Sequence, residues 1–127
     1  MIWLAVAGGG ALGSLARHGV NLLFSHALAR AVPYATATVN LVGSAVIGLL
    51  AALLATGRLH MSAEARTFVF VGILGGFTTF SSFMLDTLTL GHGGEQALAF
   101  WNVALQTALG LLAVWAGFRL GHAIGLP

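Results

Sequence analysis

The chain has 127 residues, 58% of them hydrophobic and only 6% charged, with a mean hydropathy of +0.97. A soluble domain of that length needs far more charge to cover its surface, so the whole chain reads as membrane-embedded. The absence of cysteine excludes disulfides and thiolate metal sites, and a net charge of +2 from five arginines and no lysine is too sparse for a nucleic-acid footprint.

Spanning the hydrocarbon core takes roughly 20 apolar residues as helix, and four segments qualify. The first is predicted over about 2–24. Its opening MIWLAV lacks the positive start of a secretory signal and reads as mature structure. GGGALG at 8–13 matches GxGxxG, but no strand precedes it, and a dinucleotide fingerprint needs a βαβ unit. Gly9 and Gly13 form instead a small-xxx-small pair of the kind that lets helix backbones approach closely. Arg17 and His18 interrupt the apolar run. A mid-membrane arginine costs about 2.5–3.5 kcal/mol on insertion scales, so Arg17 either snorkels to the headgroups or lines an aqueous vestibule.

The second segment, about 34–56, carries no charge but sets Thr36, Asn40 and Ser44 at successive i+4 steps. Such a polar stripe makes interhelical hydrogen bonds or lines a path. Asn40 is its strongest member, because a carboxamide has two donors and an acceptor to satisfy.

The third segment, about 67–90, contains Gly72 and Gly76 at the same four-residue spacing and the stretch GGFTTFSSF from Gly75 to Phe83. Two glycines followed by Thr78 and Thr79 are poor helix material, so a break is predicted near 75–79. Non-helical backbone at that depth is tolerated only inside protein or along a polar cavity. Carbonyls freed by a break can coordinate a small cation, and Thr79 is placed to brace it. Phe80 and Phe83 resume at i, i+3 on one face. Core filling is the plain role for two phenylalanines. Ring edges, however, are electropositive and can steady an anion without the formal charge that would trap it. The flanking Ser81 and Ser82 add hydroxyl donors, which favours the second role. Asp86 lies one turn beyond Ser82, at the interface or in a vestibule.

The fourth segment, about 96–120, carries a second polar stripe of Asn102 and Gln106, with Arg119 at its exit and Gly117, Gly121 and Gly125 in four-residue register. The connections at 25–33, 57–66 and 91–95 are short and leave no room for a soluble domain. The five histidines fall mostly near helix ends, none paired with another His, Asp or Glu at metal-ligand spacing. No nucleophile elbow, HExxH helix or phosphate loop is present, which argues against an enzyme. Four spans put Arg58, Arg66 and Arg119 on one side of the membrane and Arg30 on the other, joined there by Arg17 if it snorkels. So even a balance of arginines permits insertion in both orientations, and with it an antiparallel homodimer.

These motifs, GGGALGSLAR ending at Arg17, TATVNLVGS around Asn40 and GGFTTFSSF, occur in an order that resembles the Fluc (CrcB) fluoride channels over nearly the whole chain. The resemblance implies an all-α integral membrane protein of four helices, assembled as a dual-topology antiparallel homodimer with two fluoride pores. It implies a structural sodium ion at the dimer centre, held by backbone carbonyls at Gly75 and Thr78. It makes Phe80 and Phe83 pore-lining phenylalanines and Asn40 a pore polar residue. Thr36, Ser81, Ser82 and Arg17 join them as candidate pore residues from the reading of the residues themselves. Two departures stand out: Met84-Leu85-Asp86 where the family commonly has Ser-Ala-Glu, and His18 where an aromatic often follows the arginine.

The expected function is passive, fluoride-selective export across the cell (inner) membrane, relieving cytoplasmic fluoride toxicity, with fluoride, lipid and a second copy of the chain as partners. The rival is a small four-helix proton-coupled multidrug antiporter, which needs a membrane-embedded carboxylate, usually in its first helix. This first helix has no acid and carries Arg17. A purely structural membrane subunit offers no reason for Asn40 or GGFTTFSSF.

Overall fold

A bilayer offers no partner to a bare peptide group, so an apolar chain of this kind closes its backbone hydrogen bonds within helices. A computed structural model describes residues 1–27 and 33–125, and these are helical almost throughout, with no strand among them. Helix α1 runs Ile2–Ala27 and α2 runs Tyr34–Ala55. A third rod begins with α3, Ala63–Arg66, passes into a π-helical stretch, Thr67–Leu74, and continues as α4, Gly75–Phe77. After two extended residues α5 follows, Phe80–His92, and α6 closes the chain at Gln96–Gly125. Arg30 and the rest of 28–32 in the first connection lie outside the described residues.

Local chemistry explains the joints. Gly57 (φ +69°) and Gly94 (φ +81°) turn the chain in the left-handed region that side chains disfavour. Ser62 caps α3 by accepting from Ala65 N at 3.1 Å, so the third rod starts at Ala63, ahead of the purely apolar run at 67. Glu64 and Arg66 are helical for that reason although neither is apolar.

Among the described residues, three helices are long and apolar enough to cross a membrane: Tyr34–Ala55, Ala63–His92 with its break, and Gln96–Ile124. Helix α1 is long enough at 26 residues, but five glycines, Ser14, Arg17 and His18 dilute its apolar character. α2 lies along α6, α1 lies along the π-helical stretch and α4, and α5 rests on α6. Lipid is as apolar as leucine, so close backbone approach and polar bonds must do much of the work of association. The glycines supply the first. A Cβ on Gly72 would come within 2.7 Å of Gly9 Cα, and one on Gly76 within 2.7 Å of Gly10 O. On the other seam Gly48 abuts the Val114 carbonyl and Gly117 the Ala45 carbonyl. The glycine beat read in the sequence is therefore a packing device at these positions.

Gly13 shows the consequence. Its missing Cβ would overlap the Ile73 carbonyl and approach Phe77 N to 2.9 Å, both rigid backbone. Gly13→Val is expected to push α1 off the third rod and cost about 1–3 kcal/mol or more. The check is the thermal midpoint of the detergent-solubilised protein, with Gly19→Val as the neutral control because nothing lies within 4 Å of Gly19.

Candidate functional site

Helix α4 ends at Phe77, and the chain leaves helical geometry at Thr78 (φ −81°, ψ 158°) and Thr79 (φ −152°, ψ 115°). The break thus falls on the threonines, the second half of the predicted 75–79. Gly75 stays helical at φ −65°, ψ −34°. β-Branched residues are at ease in extended backbone, whereas the glycines serve close approach.

Thr78 still belongs to the first half-helix, since its amide and its hydroxyl both donate to Leu74 O, at 3.0 and 2.8 Å. The next amide does not. Thr79 N donates to Asn40 Oδ1 at 2.8 Å, and Asn40 Nδ2 donates back to Thr79 O at 3.1 Å. One carboxamide from α2 therefore clasps one peptide group on both sides, as a neighbouring strand would. Because Thr79 N is engaged there, the Gly75 carbonyl loses the amide that a continuous helix would bring to it.

The second half-helix starts with a side-chain cap. Thr79 Oγ1 accepts from Ser82 N at 3.2 Å and donates to Ser82 Oγ at 3.0 Å, with Ser81 Oγ 3.4 Å away. Phe80 and Phe83 meet edge to face, ring centroids 6.0 Å apart and planes at 71°. Their environments differ: Phe80 is 73% exposed in the single chain and Phe83 only 7%. The ring that points outward faces a hollow of about 340 Å³ whose lining includes Asn40, Ser44, Gly75, Thr78, Thr79 and Phe80.

The structure thus brings Asn40, Gly75, Thr78 and Phe80 to one hollow. Phe83 joins through its ring contact, and Ser81 and Ser82 through Thr79. Thr36 is buried one turn before Asn40 and does not line the hollow. Arg17 is half-buried on α1, whose neighbours are the π-helical stretch and α4, and is likewise absent from the lining. One carboxylate oxygen of Asp86, Oδ2, is buried without a hydrogen-bond partner among the described residues.

Asn40 also reaches sideways. Its Nδ2 donates to Gln106 Oε1 at 3.1 Å, and Gln106 Nε2 donates to Asn102 Oδ1 at 2.8 Å. Asn102 Nδ2 then donates to Thr87 Oγ1 at 2.8 Å, and that hydroxyl to Phe83 O at 2.8 Å. The two polar stripes read in the sequence are joined by this chain. Thr87 was not anticipated; its place four residues after Phe83 is the only local sign of it.

No group of three or more His, Cys, Asp or Glu able to hold a metal occurs among the described residues. The oxygens that the hollow offers a cation belong to backbone, hydroxyl and carboxamide groups, with a freed carbonyl at Gly75. Neutral oxygens of that kind suit a hard alkali cation rather than a transition metal.

Residues 4–118 match the family model for CrcB-like protein, Camphor Resistance (CrcB). The chain is 47% identical over 122 residues to the fluoride-specific ion channel FluC of Thermus thermophilus, 96% of each chain being covered. It is 48% identical over 123 residues to the protein of that name from Paracoccus denitrificans, covering 96% of this chain and 95% of the relative. The corresponding protein of Paramagnetospirillum magneticum is 46% identical over 118 residues, 92% of each. With a match that runs from α1 through α6 and includes the clasped break and its phenylalanine pair, the chain belongs to the CrcB family.

Proposed function

We propose that this protein is a fluoride-selective ion channel of the cell membrane, a multi-pass protein and not an enzyme, through which fluoride leaves the cytoplasm passively. The observation that carries the reading is identity of 46–48% to relatives named fluoride-specific channels, over 92–96% of the chain. The site is chemically suited to that ion. Fluoride is held strongly by water, so a pore must replace its hydration with donors yet bind weakly enough for exit. Aromatic edges at Phe80 and Phe83 and hydroxyl donors at Ser81 and Ser82 meet that requirement without a cation in the path. Asn40, whose amide hydrogens go to Thr79 O and Gln106 Oε1, and the buried Thr36 belong to the pore wall in this reading. Arg17, which does not line the hollow, belongs in the same reading to an aqueous vestibule rather than snorkelling to the headgroups. Passive flow suffices where the weak acid HF enters from acidic surroundings and dissociates inside, since the membrane potential then drives the anion out.

In this proposal α1 is the fourth span, and the channel is an antiparallel homodimer of chains inserted both ways up. The even distribution of arginines supports dual insertion, and the outward-facing Phe80 supports completion of the site by a second copy. A sodium ion at the dimer centre would be held by backbone carbonyls of Gly75 and Thr78 from both chains, neutralising the carbonyl ends of α4. The antiporter alternative finds no support: α1 has no acidic residue.

Efflux from liposomes holding only the purified protein tests the reading. Fluoride is expected to leave far faster than chloride, and equal rates would sink the claim of selectivity. In the same liposomes, replacing sodium by a large organic cation is expected to lower the flux; an unchanged rate would remove the sodium site. Protein forced into one orientation by lysines added to a terminus should be silent alone, and full activity from it would refute the antiparallel dimer.

A further inference from the structure

The first turn of α5, which bears Phe80 and Phe83, is joined to α4 only through the extended residues Thr78 and Thr79. Helical continuity therefore does not set its rotation about its own axis. Apolar contact with α6 keeps it near but is not directional. What does grip it is the hydrogen-bonded chain, and it grips at two points. The chain begins at the Thr79 peptide, immediately before Phe80, and ends at the carbonyl of Phe83.

Every link after the clasp runs in one sense: Asn40 to Gln106, Gln106 to Asn102, Asn102 to Thr87, Thr87 to Phe83 O. Each interior member must accept on one side and donate on the other, which a carboxamide does with two separate atoms and an ionised acid or base cannot. Gln106 and Asn102 sit 8% and 7% exposed, where an unmade bond is costly. Asn40 has both amide hydrogens committed, to Thr79 O and Gln106 Oε1, so Gln106 reinforces the orientation of the Asn40 amide that the Thr79 peptide selects.

We propose that Gln106 and Asn102 are positioning residues of the channel: through Asn40 at one end and Thr87 at the other, they fix the orientation of the phenylalanine-bearing turn without contacting the ion. The assignment rests on the reading of Phe80 and Phe83 as part of the fluoride path.

Unitary fluoride current through the assembled protein in planar bilayers is the test, because a merely structural defect lowers the number of channels and not the current through each. Gln106→Met keeps length and removes both the acceptor and the donor. It is expected to leave assembly intact and lower the unitary current about tenfold, the scale of one lost buried hydrogen bond. Asn102→Leu is expected to behave alike, and the double variant to fall no further than the worse single, since a chain broken once is broken. Thr87→Val, which removes only the last hydroxyl, is expected to lower the current about two- to threefold. Unaltered current in Gln106→Met overturns the assignment. So does a double variant whose loss is the product of the two singles, which would mean that each side chain meets the ion separately. Should Gln106→Met fail to assemble, Thr87→Val decides, and unaltered current there overturns the chain. If the unsubstituted protein passes no fluoride, the channel reading falls and this assignment with it; wild-type conduction with indifferent variants overturns the assignment alone.

Discussion

Replacing Phe80 with isoleucine is expected to leave the protein folded and assembled while fluoride efflux falls about a hundredfold, equivalent to about 2.7 kcal/mol of lost ion stabilisation. The substitution keeps an apolar side chain but removes the ring quadrupole. Phe80 is 73% exposed in the single chain, so little of that chain's own core depends on it. Phe83 is a sharper case. It is 7% exposed and in edge-to-face contact with Phe80, so Phe83→Ile is expected to cost about 1 kcal/mol of stability besides the flux. Efflux from liposomes, normalised to assembled protein, separates the two effects. A folded Phe80→Ile, Phe83→Ile double variant that conducts normally would leave both rings as ordinary packing groups.

The second large effect is expected at Asn40. Asn40→Asp is nearly isosteric, yet it turns the donor that faces Thr79 O and Gln106 Oε1, each at 3.1 Å, into a third acceptor. A half-buried carboxylate set against two oxygens lacks the pairing that buried charge requires, at a cost of about 3–5 kcal/mol. Only the bond from Thr79 N survives. The clasp on the break should therefore open, and fluoride flux should fall to background, since the added negative charge also repels the anion. Acid makes the test specific. Below its pKa the new carboxyl regains one O–H donor, so the thermal midpoint of the variant is expected to recover partly as pH falls, relative to the unsubstituted protein. A variant that conducts normally at neutral pH would show that neither the clasp nor the neutrality of Asn40 matters.

Much of this molecule was legible one residue at a time. Composition placed the whole chain in the membrane, because a 6% charged chain has nothing with which to cover a water-facing surface. Gly-Gly-Phe-Thr-Thr predicted an interruption because backbone preference is local, and the structure interrupts the helix at Thr78 and Thr79. The i, i+3 spacing of Phe80 and Phe83 predicted a shared helix face for the same reason; that the rings also meet edge to face, at 6.0 Å, is a finding of the structure. The four-residue glycine beat predicted close approach without saying against what. Gly9 meets Gly72, and Gly117 meets Ala45, only because α1 lies along the third rod and α6 along α2.

Helix crossing decided the rest. Asn40 read as a polar residue in need of partners, but those partners lie 39 and 66 positions away, at Thr79 and Gln106. No periodicity within one helix encodes the phase of one helix against another. The stripe of Asn102 and Gln106 was visible, whereas its continuation to Thr87 and the Phe83 carbonyl was not, because that link exists only where α5 rests on α6. The opposite fates of the two phenylalanines, one outward and one buried, have the same origin. Residue types and spacing determined which groups must be satisfied in a medium without water; the arrangement of the helices determined which of them satisfy one another.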